Sequence, residues 1–241
     1  MITKHLAARV AVYILGLLCL AFGITFAINS NLGTTPVNAL PLVASRIFNV
    51  TIGVSVTVFF SLCLLLQIVL LRKEFKPINL TQLIYSFIFG YFVDFAEFVV
   101  GDFIIPTYAG QMTMLAISLI FIPSGLSLYL EAKLVPMPPE GLVVSIMQKL
   151  PKTTTFAIVK VILDCALVAL AIALAFIFLG GAYGVREGTV ILAIFIGKLM
   201  PYTRKVISYV LGKLGFYPPE STEPPKEAAE NTSVTADTND S

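Results

Sequence analysis

The chain has 241 residues, 57% of them hydrophobic and 12% charged, with a formal net charge of +2. Soluble domains average about 45–50% apolar and about 25% charged residues, so an ordinary soluble domain is excluded. An all-α polytopic membrane protein embedded in a lipid bilayer is expected, its small basic excess lying beside anionic lipid and implying no nucleic-acid partner.

Residues 1–9 form a short N-terminal tail carrying Lys4, His5 and Arg9, and the single histidine is expected to be solvated. The first apolar block, 10–28, is longer than the roughly 7–15 residues of a secretory signal core and lacks a small-x-small cleavage site, so it reads as a retained helix. Further blocks lie at 54–71, 80–100, 112–130, 156–179 and 189–200. A bilayer core needs about 20 helical residues, so five blocks span outright. The sixth spans if it continues through Pro201 toward Val210, and six transmembrane helices are expected.

Between the first two blocks, apolar residues recur with helical spacing from Val37 onward, behind Thr35 at a capping position and Pro36 in the first turn. This predicts a short helix with Asn38 in its first turn. Between the fourth and fifth blocks a second short helix is predicted, opened by Pro138, with Glu140 in the place of Asn38. At about 18 Å each, such helices are too short to cross; they either re-enter the membrane or lie at its interface.

Beyond Phe216 come Pro218, Pro219, Pro224 and Pro225, followed by acidic and small polar residues, so 217–241 is expected to be a disordered acidic tail. Cys19, Cys63 and Cys165 all lie in apolar blocks and read as small hydrophobes. No Cys/His spacing suggests a metal site or another cofactor.

The chain repeats itself. Residues 10–71 reappear as 112–173, a shift of 102 positions, aligning Gly23 with Gly125, Pro36 with Pro138, Thr51 with Thr153 and Cys63 with Cys165. A third matching stretch, 81–94 with 188–201, places Gly90 on Gly197. Positive charge settles the sense of the repeat. With the N-terminus in the cytoplasm, Lys4, Arg9, Arg72, Lys73, Lys76, Lys133, Lys149, Lys152, Arg204, Lys205 and Lys213 collect inside, leaving Arg46 and Arg186 outside. Each half has three spans, so the halves, 10–109 and 110–216, are expected to be inverted, with both termini cytoplasmic in the cell membrane.

Charges within spans are costly and mark candidate sites. Lys160 and Asp164 are spaced to pair on one helical face, and Asp94 and Glu97 share another, where like charge suggests proton binding. Asp94, Arg186 and Asn38 fall in the outer half; Lys160, Asp164 and Glu140 fall in the inner half. The blander reading makes Lys160–Asp164 a structural pair and leaves Asp94 and Glu97 at an exposed helix end. Cys165, Ala169 and Ala173 form a small-residue stripe, read as core packing, with a homodimer face as the alternative.

The stretch from Asn31 to Leu40, with Leu32, Gly33, Pro36, Asn38 and Leu40, resembles the Leu-Gly-x-x-Pro-Trp-Asp-x-Leu element of bacterial YczE-like membrane proteins, grouped with YitT and YyaS. Pro138, Glu140, Gly141 and Leu142 resemble that family's Gly-Pro-x-Asp-Gly-Leu, and 184–197 is similar to its Gly-x-Gly-Thr-x-x-x-Ala-x-x-x-Gly stretch. The chain departs from the pattern at Val37, Asn38 and Glu140. The resemblance implies a polytopic bacterial inner-membrane protein and carries no activity.

No nucleophile elbow, P-loop or acid/histidine cluster is present, so no enzyme is expected. Short proline-opened helices at matching places of inverted halves point instead to a transporter or permease-like protein. Its small polar or anionic solute would lie near Asn38, Glu140, Asp164, Lys160, Asp94 and Arg186, with protons as the coupling ion. The alternatives are a capture subunit needing an energising partner subunit, and a membrane scaffold or assembly factor.

Overall fold

The computed structural model describes residues 2–101, 103, 105–151, 154–181, 183–214 and 216, with side chains from Leu6 onward. The tail expected at 217–241 lies outside the described residues. Eight α-helices follow one another: α1 (Ile2–Asn29), α2 (Pro36–Phe48), α3 (Ile52–Leu71), α4 (Thr81–Val100), α5 (Tyr108–Glu131), α6 (Pro138–Met147), α7 (Phe156–Leu179) and α8 (Glu187–Lys213). There is no strand among the described residues. Helices are what apolar sequence in hydrocarbon demands, since each satisfies its own backbone polar groups.

Five helices, α1, α3, α4, α5 and α7, are long and apolar enough to cross a membrane. α8 does continue through Pro201, and its 27 residues reach about 40 Å. Glu187, Lys198, Arg204 and Lys205 dilute its apolar content, so it falls outside those five. With five or six apolar helices the fold is compatible with a polytopic membrane protein.

Local structure follows the sequence repeat. α1 ends at Asn29 and α5 at Glu131; Asn31 (φ 55°) and Lys133 (φ 49°) then take the left-handed conformation; Pro36 and Pro138 open the short helices. Each of these pairs is 102 positions apart. Thr35 occupies the cap position of α2 but makes no side-chain cap bond, because its hydroxyl accepts from Asn38 Nδ2 at 2.8 Å instead.

α1 and α5 pack antiparallel at the centre. At one end Arg9 donates to the carbonyls of Ala132, at 2.8 Å, and Lys133. Further along, Gly16 sits against the backbone of Gly125 and Tyr129, and Gly23 against Ile122, with no space for a Cβ at either glycine. Small residues let helix backbones approach where lipid offers no competing hydrophobic drive. The Gly23–Ile122 and Leu20–Gly125 contacts are images of each other under the 102-residue shift. Around this pair α4 packs on α1 and α8 on α5, while α2 and α6 bridge α3 and α7 at opposite ends.

One packing relation breaks the correspondence. α4 lies tightly on α3, with Gly90 against Gly53, but α7 makes no comparable contact with α8. A Cβ at Gly197, the counterpart of Gly90, would meet nothing within 4 Å. The main core gathers Tyr13, Leu17, Ile24, Phe89, Ile122 and Leu192, and a small satellite joins Ala39 and Val43 of α2 to Ala171 and Ala175 of α7. The stripe of Cys165, Ala169 and Ala173 is therefore not core packing: all three are exposed, and the neighbouring alanines do the packing. The α7 surface is otherwise apolar, with Ile158, Val161, Ile162 and Ile177 outward, as suits contact with lipid.

Candidate functional site

The sequence-predicted site residues fall in three places. Glu140, Lys160 and Asp164 come together at the end of the bundle that carries α6. Asn38 and Arg186 lie at the opposite end, near α2. Asp94, on α4, forms the third place, on the same side as α2 and against the start of α3.

At the α6 end, Pro138 begins the helix and sets Glu140 in its first turn. Gly141 brings that turn against a buried amide pair: Gln67 Nε2 donates to Gln82 Oε1 at 3.0 Å and to the Pro138 carbonyl at 3.0 Å. A Cβ on Gly141 would meet Gln67 Oε1 at 2.7 Å, so a larger residue would have to push the amide pair aside. Tyr13 of α1 donates to the Val135 carbonyl at 3.3 Å and packs edge-on against Tyr129 of α5, with ring centroids 5.7 Å apart. Glu140 keeps some exposed surface, but among the described residues its Oε2 is buried without a partner, as is the Tyr129 hydroxyl.

Lys160 donates to both carboxylate oxygens of Asp164, at 3.0 and 3.1 Å, so the expected pair forms. Glu140 senses both members, and its own charge acts on Tyr13, Cys63 and Tyr129. It lies on α6, outside the spans. Burial pushes its carboxyl above the ordinary range, opposed by the Lys160 ammonium and its own backbone N–H, with Asp164 adding to the rise.

At the α2 end, the segment before α2 is stitched to the start of α8. Thr34 N–H donates to the Gly184 carbonyl at 3.2 Å, Gly188 N–H to the Leu32 carbonyl at 2.8 Å, and Arg186 Nη1 to the Asn31 carbonyl at 2.9 Å. Gly33, at φ 112°, fits where a side chain would strike Thr189 Oγ1. Among the described residues, Asn38 Oδ1, Thr34 Oγ1 and Thr189 Oγ1 are buried without partners.

Asp94 accepts from the Gly53 N–H at 2.6 Å and from the Thr51 hydroxyl at 2.8 Å. Both of its oxygens are thus engaged at the N-terminus of α3, where a carboxylate answers the free amides and the helix dipole. Beside it opens a groove of ≈ 560 Å³ lined by Arg46, Asn49, Thr51, Asp94, Glu97 and Phe98. Arg46 turns to Tyr183, donating to its hydroxyl at 2.7 Å.

A family of unknown function, DUF6198, matches residues 7–205, from the start of α1 to beyond Pro201 in α8. The chain belongs to the DUF6198 family. A relative, "Uncharacterized protein YyaS" of Bacillus subtilis (strain 168), is 34% identical over 146 residues, which is 60% of this chain and 71% of the relative. The YyaS-type membership suggested by the turns at Pro36 and Pro138 is therefore borne out. No solved structure matches the chain.

Within this DUF6198 chain, charge alone was an incomplete guide to buried polarity. Tyr13, Gln67, Gln82 and Tyr129 surround Glu140, and Thr34 and Thr189 adjoin Gly33, yet none carries a charge. The signal available for Gln67 and Gln82 is an amide inside or bordering an apolar block, where it needs a partner as much as a charge does.

Proposed function

We propose that this protein is a non-enzymatic transporter or permease-like protein of the cell membrane, with both termini in the cytoplasm. Its two inverted three-helix repeats hold a small polar or anionic solute between them. The observation that carries the reading is the pair Asn38 and Glu140. They occupy equivalent positions in the first turns of α2 and α6, at opposite ends of the bundle, and each leaves one buried side-chain oxygen without a partner. Buried polar atoms normally find partners, and those that do not are places for a ligand to complete.

The antiparallel, reciprocal packing of α1 on α5 supports an inverted arrangement. The broken correspondence supports movement: α3 is closed on α4 near α2, while α7 stands off α8 near α6. In alternating access by related halves, one half adopts the packing of the other. The alternate state then has α7 closed on α8 at Gly197 and α3 parted from α4 at Gly90.

The test is a cysteine pair, Val159→Cys with Gly197→Cys, in a chain whose native cysteines are replaced by serine. These positions correspond to Thr57 and Gly90, whose close approach closes α3 on α4. Oxidative cross-linking in membranes should trap a fraction of molecules with α7 on α8. Complete absence of the cross-link, in a protein that is folded and inserted, overturns the alternating-access reading.

A further inference from the structure

We propose that Glu140 is a proton-binding site, its carboxyl carrying an exchangeable proton at the buried Oε2. The inference deepens the transport reading by naming the coupling ion's residue, and rests on that reading only for the use made of the proton.

A carboxylate oxygen buried without a partner is satisfied by a hydrogen-bond donor, a cation or a proton. Among the described residues, three donors around Glu140 are engaged elsewhere, and a fourth, the Tyr129 hydroxyl, makes no bond to it. Gln67 Nε2 serves Gln82 and the Pro138 carbonyl, Tyr13 serves the Val135 carbonyl, and Lys160 is closed on Asp164. The Tyr129 hydroxyl is buried and unpartnered, as is Glu140 Oε2.

The turn bearing Glu140 packs against the amide ends of Gln67 and Gln82, and a Cβ on Gly141 would meet Gln67 Oε1 at 2.7 Å. Exchange has a route because Glu140 keeps some exposed surface while Oε2 is sealed.

The titratable and charged groups facing Glu140 come from each neighbouring helix: Tyr13 from α1, Cys63 from α3, Tyr129 from α5, and Lys160 with Asp164 from α7. Tyr85 of α4 packs on Tyr13 with ring centroids 4.5 Å apart and the rings tilted by 49°. Lys160 is the one cation in this set, and Asp164 occupies it. A carboxyl so placed holds a proton more readily than a free ion. Burial acts in the same direction.

Infrared difference spectroscopy of the full chain in lipid nanodiscs, between acidic and alkaline buffer, reads the site directly. The wild type should show the carbonyl stretch of a protonated carboxyl disappearing as pH rises. Glu140→Gln should lose that band, Asp164→Asn and Glu140→Asp should keep it, and Tyr129→Phe should shift its frequency. An unchanged band in Glu140→Gln, or no such band in the wild type, overturns the proposal. So does a band that responds to sodium at constant pH, which would identify a metal cation as the ligand. A missing band alongside a positive Val159–Gly197 cross-link refutes the proton site and leaves alternating access standing; the reverse pattern refutes alternating access alone.

Discussion

Gly53 of α3 and Gly90 of α4 approach so closely that a Cβ on either would overlap the backbone of the other. Thr57 seals the same contact, donating its hydroxyl to the Gly53 carbonyl at 2.8 Å. The counterpart of Gly90 in the second half, Gly197, faces open space. Gly90→Ala should therefore cost about 1–3 kcal/mol through overpacking. Gly197→Ala should be neutral or stabilising by up to about 1 kcal/mol, the difference in helix propensity. Thermal unfolding of the two variants in detergent checks this, and equal losses would refute the asymmetry.

Gln67 and Gln82 satisfy each other inside the protein, where an orphaned amide keeps its full desolvation penalty. Gln82→Leu or Gln67→Leu alone should destabilise by about 1–3 kcal/mol. The double variant should cost clearly less than the sum, because neither amide is then left behind. A double-mutant cycle on unfolding free energies measures the coupling, and strict additivity would show that the pair is not energetically linked.

Asp94 has both oxygens committed to the start of α3. Asp94→Ala should cost about 1–2 kcal/mol, as loss of a helix N-terminal acceptor does. Purified variants compared by melting temperature test this capping role. A melting curve that overlays the wild type would return Asp94 to the list of residues free to bind a solute.

The stability of the protein should fall as pH rises through the window set by Glu140. In the unfolded chain a glutamate releases its proton near its ordinary value of about 4.3. In the folded chain burial holds the proton to higher pH. Between the two values the folded state binds more protons than the unfolded state, so unfolding becomes easier with each step upward in pH. The melting temperature of Glu140→Gln should stay level across that window and exceed that of the wild type at its upper end. Parallel pH profiles for the two proteins would contradict this.

Much of the architecture was legible in the residues themselves. Apolar blocks predict the five helices long and apolar enough to span because, in hydrocarbon, a segment must close its own hydrogen bonds, which is a local requirement. Pro36 and Pro138 predict the short helices because proline is suited to a first turn and its position is visible in sequence. The Lys160–Asp164 pair was legible for the same reason: helical spacing alone puts the two side chains on one face. Thr35 misled slightly, since its hydroxyl meets Asn38 rather than the helix amides, and α7 misled more, since Ala171 and Ala175 are buried where the Cys165 stripe was expected to be.

The sequence by itself thus determined the helices, their order, the two matching turns and the 102-residue correspondence, all of which depend on neighbours along the chain. Only the tertiary structure decided which polar groups find partners. Gln67 meets Gln82 and Asp94 meets Gly53 across separate helices, whereas Glu140 Oε2, Asn38 Oδ1 and the Tyr129 hydroxyl meet none. The same packing closed Gly90 on Gly53 and left Gly197 open, although sequence aligns the two. A hydrogen bond or a close backbone contact between distant residues is set by how helices cross and rotate. Residue type along one helix does not specify that.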